Sequence, residues 1–166
     1  MSLLDTIKSR RSVRKYSDRE IDDSSIERIL EAARWAPSGL NNQPWRFIVI
    51  RDQDVKKMLS GLTHYERIMI ESKAAIAVFY NEHAGYHREK DLMSIGAAIE
   101  NMLLQAHDEG IGSVWLGEIL KNSEKVSEIL GAGQENELAA VIALGYKGEE
   151  PVKERKALSE LLVKTI

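Results

Sequence analysis

Two clusters of side chains in the first third of the chain have the types and spacing to do chemistry together. Arg10-Arg11-Ser12-Val13-Arg14 concentrates guanidinium groups and a hydroxyl in one short run. Such groups suit a phosphate, because the planar guanidinium fork forms paired charge-assisted bonds to its oxygens. The second cluster, Pro37-Ser38-Gly39-Leu40-Asn41-Asn42-Gln43-Pro44-Trp45-Arg46-Phe47, combines turn residues, side-chain amides and a large aromatic, and runs into the apolar stretch Phe47-Ile48-Val49-Ile50. Amides and backbone groups on a flat surface suit a heteroaromatic ring. Together the clusters point to a binder of a small, flat, phosphorylated cofactor. Each also has a plainer reading. The basic run is balanced by Asp18, Glu20, Asp22 and Asp23 and would serve as a solvated patch. The amide-rich segment would serve as a helix-to-strand turn, although that leaves Gln43-Pro44-Trp45 without a role.

Other chemistries find less support. Neither GxGxxG nor GxxxxGK[ST] occurs, which disfavours a dinucleotide Rossmann site or a P-loop. Ser12, Ser38 and Ser113 lack the GxSxG context of a hydrolase nucleophile. His83 and His87 stand four apart, but Gly85 between them argues against a helix and no third ligand is evident, so no metal is expected. His64 and His107 look isolated. Cysteine is absent, which excludes disulfides, thiolate nucleophiles and iron–sulfur clusters. Redox chemistry here would need a borrowed cofactor. Trp115-Leu116-Gly117-Glu118 reads as a strand end, where glycine serves a turn or the close approach of a ligand ring.

The elements that must position these residues follow from periodicity. Ser2 and Asp5 form a capping box for a short helix ahead of Arg10. Ser24 and Glu27 give a second capping signal, followed by Ile26, Ile29, Leu30 and Ala33 at helical spacing and stopped by Pro37. Strand Trp45–Ile50 comes next, then a helix over 52–62 with Val55, Met58, Leu59 and Leu62 inward. Residues 63–73 read as helical, 74–80 as a buried strand and 81–90 as a loop. The most apolar helix runs from Asp91 to about Glu109. Strand 112–117, a short helix capped by Asn122 and closed by Gly131, and strand 138–146 complete the order. A charged tail from Lys147 ends in a small amphipathic helix around Leu158, Leu161 and Leu162. No composition shift divides the chain, so residues 1–166 read as one domain with a mixed sheet covered by helices on both sides.

The bulk properties agree with a globular protein. The 166 residues are 43% hydrophobic and 30% charged, with a net charge of −3 and a pI near 5.9. That balance lacks the cationic excess of a nucleic-acid binder. No apolar run approaches a membrane span and no secretory leader is visible, so a cytoplasmic protein is expected.

The segments Arg10–Arg14, Ala36–Phe47 and Trp115–Glu118, with Leu144-Gly145-Tyr146-Lys147 followed by Arg155-Lys156, resemble in order the signature regions of the FMN-dependent nitroreductase family. The resemblance implies an α+β fold, a three-layer α/β/α sandwich with a central mixed sheet and a C-terminal extension onto the partner subunit. It implies a homodimer with FMN at the interface, reduced by NAD(P)H and reoxidised by a small-molecule acceptor (a nitro compound, quinone or similar electrophile) in ping-pong fashion. Arg10, Arg11, Ser12, Arg14 and Arg155 would then hold the phosphate and pyrimidine side. Pro37, Ser38, Gly39, Asn42 and Gln43 would approach from the other subunit, and Gly117 and Glu118 would lie against the ring. The chemistry would belong to the flavin, with no indispensable general acid or base. The same fold also accommodates a flavin carrier or a flavin-destroying, benzimidazole-forming enzyme. Flavin contacts within 63–73 stay unassigned, with Arg67 and Lys73 as candidates.

Overall fold

A four-stranded sheet in the order β1-β2-β4-β3 separates two layers of helices in the computed structural model, which describes residues 2–166. The elements run α1 (Leu3–Ser9), α2 (Asp23–Arg34), β1 (Trp45–Ile50), α3 (Gln53–Ser60), α4 (Glu66–Glu71), β2 (Ala74–Asn81), α5 (Arg88–Asp108), β3 (Ile111–Leu116), α6 (Ser123–Leu130), β4 (Asn136–Tyr146) and α7 (Leu158–Leu161). β2 is buried along its whole length, because side chains alternate between faces and both faces are covered. Ala74, Ile76, Val78 and Tyr80 pack with Ile29 and Ala33 of α2 and Ile95, Ile99 and Met102 of α5. Ala75, Ala77 and Phe79 pack on the other face with Leu59, Ile68, Met69 and Val126. β4 alternates in the same way: Ile142 and Leu144 join the first cluster, Val141 and Ala143 the second.

The three-layer architecture expected from the sequence is present, but the sheet is not mixed. All its strand pairs are antiparallel; the parallel pairing is an isolated bridge, Ser12 to Ser113, on the outer edge of β3. Continuous burial is shared by parallel strands and doubly covered antiparallel ones, so it does not reveal direction.

Local capping is mostly as read. Ser2 and Asp5 close a reciprocal box on α1, and Gly131 takes the left-handed conformation (φ 60°) that ends α6. α2 differs: Asp22, not Ser24, accepts the Ser25 N–H at 2.8 Å and serves as its cap. Asn122 makes no cap bond and donates to the Leu62 carbonyl at 2.7 Å. On α3 Leu59 is buried and Val55 and Leu62 pack beside it as expected, but Lys56 and Ser60 are buried as well, whereas Met58 is 55% exposed. α5 begins at Arg88, earlier than its apolar stripe suggests. Residues 152–166 are exposed throughout, including Val152, Leu158 and Val163.

Candidate cofactor site

The basic cluster is set by how the chain leaves α1. After the Arg10 N–H closes the helix on the Thr6 carbonyl, the backbone extends beside β3 and the Val13 N–H donates to Ser113 O at 3.0 Å. Val13 is buried against Gly112, where a Cβ would come within 2.8 Å of its side chain. In extended chain neighbouring side chains alternate, so burying Val13 turns Ser12 and Arg14 the other way. The Tyr16 hydroxyl pins the segment by donating to Val13 O (3.0 Å) and sits near Ala143 O (3.3 Å).

Arg11, Ser12 and Arg14 meet Pro151, Val152, Lys153 and Arg155 around a cleft of about 390 Å³. No acidic side chain lines it, and Arg11, Arg14 and Arg155 form no ion pair among the described residues. Their guanidinium groups reach only backbone carbonyls: Arg11 that of Lys8 (2.5 Å), Arg14 that of Ser12 (3.3 Å) and Arg155 that of Glu154 (3.3 Å). Arg10 stands apart from this cleft, 3.4 Å from Glu100 on α5.

The amide-rich loop lies at the other end of the sheet. It leads into β1, the opposite edge strand from β3, and three interstrand spacings amount to roughly 14 Å. Within the loop Ser38 Oγ accepts the Gln43 N–H at 3.0 Å and Gln43 Nε2 donates to Asn41 O at 3.2 Å. Leu40, Asn41 and Gln43 adopt left-handed backbone, with φ of 54°, 56° and 48°. Gln43 therefore has a turn role that its residue type does not advertise. Gly39 does not need positive φ; the Tyr86 ring packs over it, its hydroxyl 2.2 Å from where a Cβ would lie. Asn42 donates inward, to Ala84 O (2.9 Å) and to Asp91 Oδ1 (2.8 Å).

β3 ends in the third region. Gly117 takes helical φ and ψ, and a Cβ there would meet only Trp115 Nε1 at 3.9 Å, so nothing inside the chain demands glycine. The Glu118 carboxylate is occupied: it accepts from Thr63 Oγ1 (2.8 Å) and the His64 N–H (3.0 Å) and pairs with Lys121. The Lys121 ammonium, then the His64 N–H, hold its pKa down at about 2. His64, isolated in the sequence, lies 3.6 Å from this carboxylate. Thr63, His64 and Lys121 carry no motif, and Thr63 and His64 lie 55 and 54 positions from Glu118, which only tertiary contact bridges.

Arg67 and Lys73 line a different cleft, of about 640 Å³, with Arg51 and Lys56. Its cations are largely neutralised in place: Arg67 by Glu71, Lys73 by Asp18 and Glu20, and Arg51 by Asp23. Buried Lys56 donates to the Ser72 carbonyl, and burial pushes its pKa down. His83 lies in a short turn and His87 just before α5, and the described residues hold no cluster of metal-ligating side chains.

The family model described as the nitroreductase family matches residues 7–67 and 60–146. A protein of Archaeoglobus fulgidus designated an NADH dehydrogenase/NAD(P)H nitroreductase is 40% identical over 151 residues, covering 89% of this chain and 86% of its own. An NADH dehydrogenase from Thermus thermophilus is 30% identical, with 85% and 84% covered. A solved nitroreductase-type protein from Desulfovibrio desulfuricans, crystallised with FMN, superposes with a TM-score of 0.96 at 40% identity over 100% of this chain and 98% of that one.

Proposed function

The chain belongs to the nitroreductase family, and from that premise we propose that it is an FMN-dependent oxidoreductase that passes electrons from NAD(P)H to a nitro compound, quinone or similar small electrophile. The observation that carries the reading is the cleft lined by Arg11, Ser12, Arg14 and Arg155. It is cationic, holds a hydroxyl, lacks acids and leaves its guanidinium groups without carboxylate partners. That donor set fits a phosphomonoester. Arg10 contributes to the local field while braced by Glu100.

Bound FMN would supply the redox chemistry that links nicotinamide oxidation to reduction of the second substrate. The chain's residues bind and orient. Arg11, Arg14 and Arg155 would neutralise the phosphate and the Ser12 hydroxyl would donate to it, while the open glycine at 117 permits a flat ring to approach the end of β3. The Glu118 carboxylate, engaged by Thr63, His64 and Lys121, is not free to contact a ring there. No side chain is assigned as general acid or base.

The reading requires a second copy. The phosphate cleft and the loop of Pro37, Ser38, Gly39, Asn42 and Gln43 lie at opposite edges of one sheet, so a homodimer joins one protomer's cleft to its partner's loop. Two features support this. Gly96 on α5 faces open space, and the tail exposes Val152, Leu158, Leu161, Leu162, Val163 and Ile166. Each such side chain gains about 1.5–3 kcal/mol when buried, which favours a tail folded onto the partner. We read residues 1–166 as one domain of a cytoplasmic protein. Among the described residues no helix is long and apolar enough to cross a membrane.

The test is an absorbance spectrum of purified protein before and after anaerobic NADH or NADPH. A flavin band near ~450 nm that bleaches supports the reading. Protein that stays colourless after FMN is added overturns it. Bound flavin that nicotinamide reduces no faster than free FMN turns the assignment to a carrier.

A further inference from the structure

Asp91 is fully buried near the start of α5, and no Lys, Arg or His forms an ion pair with it among the described residues. Its charge is held by neutral donors. Asn42 Nδ2 reaches Oδ1 at 2.8 Å, and the Tyr86 and His87 N–H groups reach Oδ2 at 2.9 and 3.0 Å. The partial positive charge at the N-terminus of α5 adds to them. Burial alone pushes the carboxyl up, but the bonds from Asn42, His87 and Tyr86, with the Tyr80 hydroxyl, more than reverse this and hold it below the usual range. The carboxylate thus ties together segments 38–43 and 82–87, which the sequence places far apart (Asn42 and Asp91 by 49 positions).

What it ties down is strained. Leu40, Asn41 and Gln43 hold left-handed backbone, which non-glycine residues adopt at a cost. Asn42 Oδ1 is buried with no hydrogen-bond partner. Reversing the amide would not relieve it, since an oxygen would then face both Asp91 Oδ1 and the Ala84 carbonyl. Strain of this kind persists only where surrounding structure over-determines it, and such sites are drawn to ligand clamps. Across the contact, the Tyr86 ring sits against Gly39 so closely that a Cβ would collide with it, and Lys90 lies 5.6 Å from that ring.

From this arrangement we infer that Asp91 is the positioning residue of the amide loop, holding 38–43 and 82–87 as one unit and so presetting the surface offered to the partner's flavin. Asp91 itself touches neither cofactor nor substrate. The inference rests on the flavin reading for its consequence, though the coupling of the two segments stands without it.

The experiment is hydrogen exchange on full-length Asp91→Asn, with and without FMN. The amide keeps the shape but sets a donor against either Asn42 Nδ2 or the Tyr86 and His87 N–H groups. Both segments are expected to exchange at least ~10-fold faster, together, while β2 and β4 keep wild-type protection. FMN binding, followed by quenching of flavin fluorescence, is expected to weaken at least ~10-fold with an altered absorbance envelope for the bound flavin. Ile76→Val serves as a control of lowered stability, and a merely structural role for Asp91 would make the two variants alike in both readouts. If Asp91→Asn does not fold, Asn42→Ala removes the same link and should loosen both segments. Unchanged exchange, loosening of one segment only, or wild-type FMN affinity in Asp91→Asn overturns the inference. Wild-type protein that takes up no FMN defeats the flavin reading instead, and the exchange data still decide the coupling.

Discussion

At the scale of single residues, charge pairing separates the arginines that the sequence presents as equals. Arg10 has an acid at 3.4 Å in Glu100, whereas Arg11 and Arg14 have only carbonyls. A guanidinium free of carboxylates is available to a phosphate, and a charge-assisted bond of this kind contributes about 1.5–3 kcal/mol. Arg14→Ala is therefore expected to raise the FMN dissociation constant roughly 10- to 100-fold, and Arg10→Ala distinctly less, as flavin titrations of the two variants would show. Equal losses would mean that the Arg10–Glu100 pair opens on binding. The run Arg10–Arg14 was legible as an anion site because its residue types are concentrated. Which of its members were already engaged was not, since Glu100 comes from a distant helix.

α5 is apolar around much of its circumference, and Ile95, Ile99 and Met102 account for the inward part. Gly96 accounts for something else. Its would-be Cβ meets nothing within 4 Å, so in an isolated chain Gly96→Ala should stabilise the helix by about 0.5–1 kcal/mol. In the proposed dimer a facing backbone occupies that space and the sign reverses. Gly96→Ala is expected to lower the melting temperature and raise the dimer dissociation constant, measured by sedimentation over a dilution series. A stabilised variant with unchanged association would place the interface elsewhere. The α5 stripe was readable from its period, but its start at Arg88 was not, because His87 and Arg88 are polar and the boundary is fixed by the Asp91 bonds to Tyr86 and His87. The α2 cap shows the same limit: Asp22, Ser24 and Ser25 can all cap, and packing of Ile26 and Ile29 selects the register.

At the scale of the whole molecule, the exposed tail is the unfinished part of a single chain. Removing residues 150–166 takes Arg155 and Lys153 from the cleft and the apolar tail residues from any partner. The expected result is a chain that keeps its sheet, seen by circular dichroism, but binds FMN at least ~10-fold more weakly and dissociates more readily. Wild-type affinity in that variant would remove the tail from the site. By itself the sequence determined the elements, the two-faced burial of β2 and β4, the absence of thiol chemistry and the residue types gathered at each candidate region. These are local properties, written in periodicity, capping pairs and composition. Only the tertiary structure decided that the sheet is antiparallel, that the arginine cleft and the amide loop occupy opposite edges, and that Asp91 and Glu118 are engaged by groups tens of residues away. The physical reason is common to all three. Strand direction, edge position and the pairing of a buried charge depend on which distant segments meet, and burial patterns are the same for arrangements that differ in those meetings.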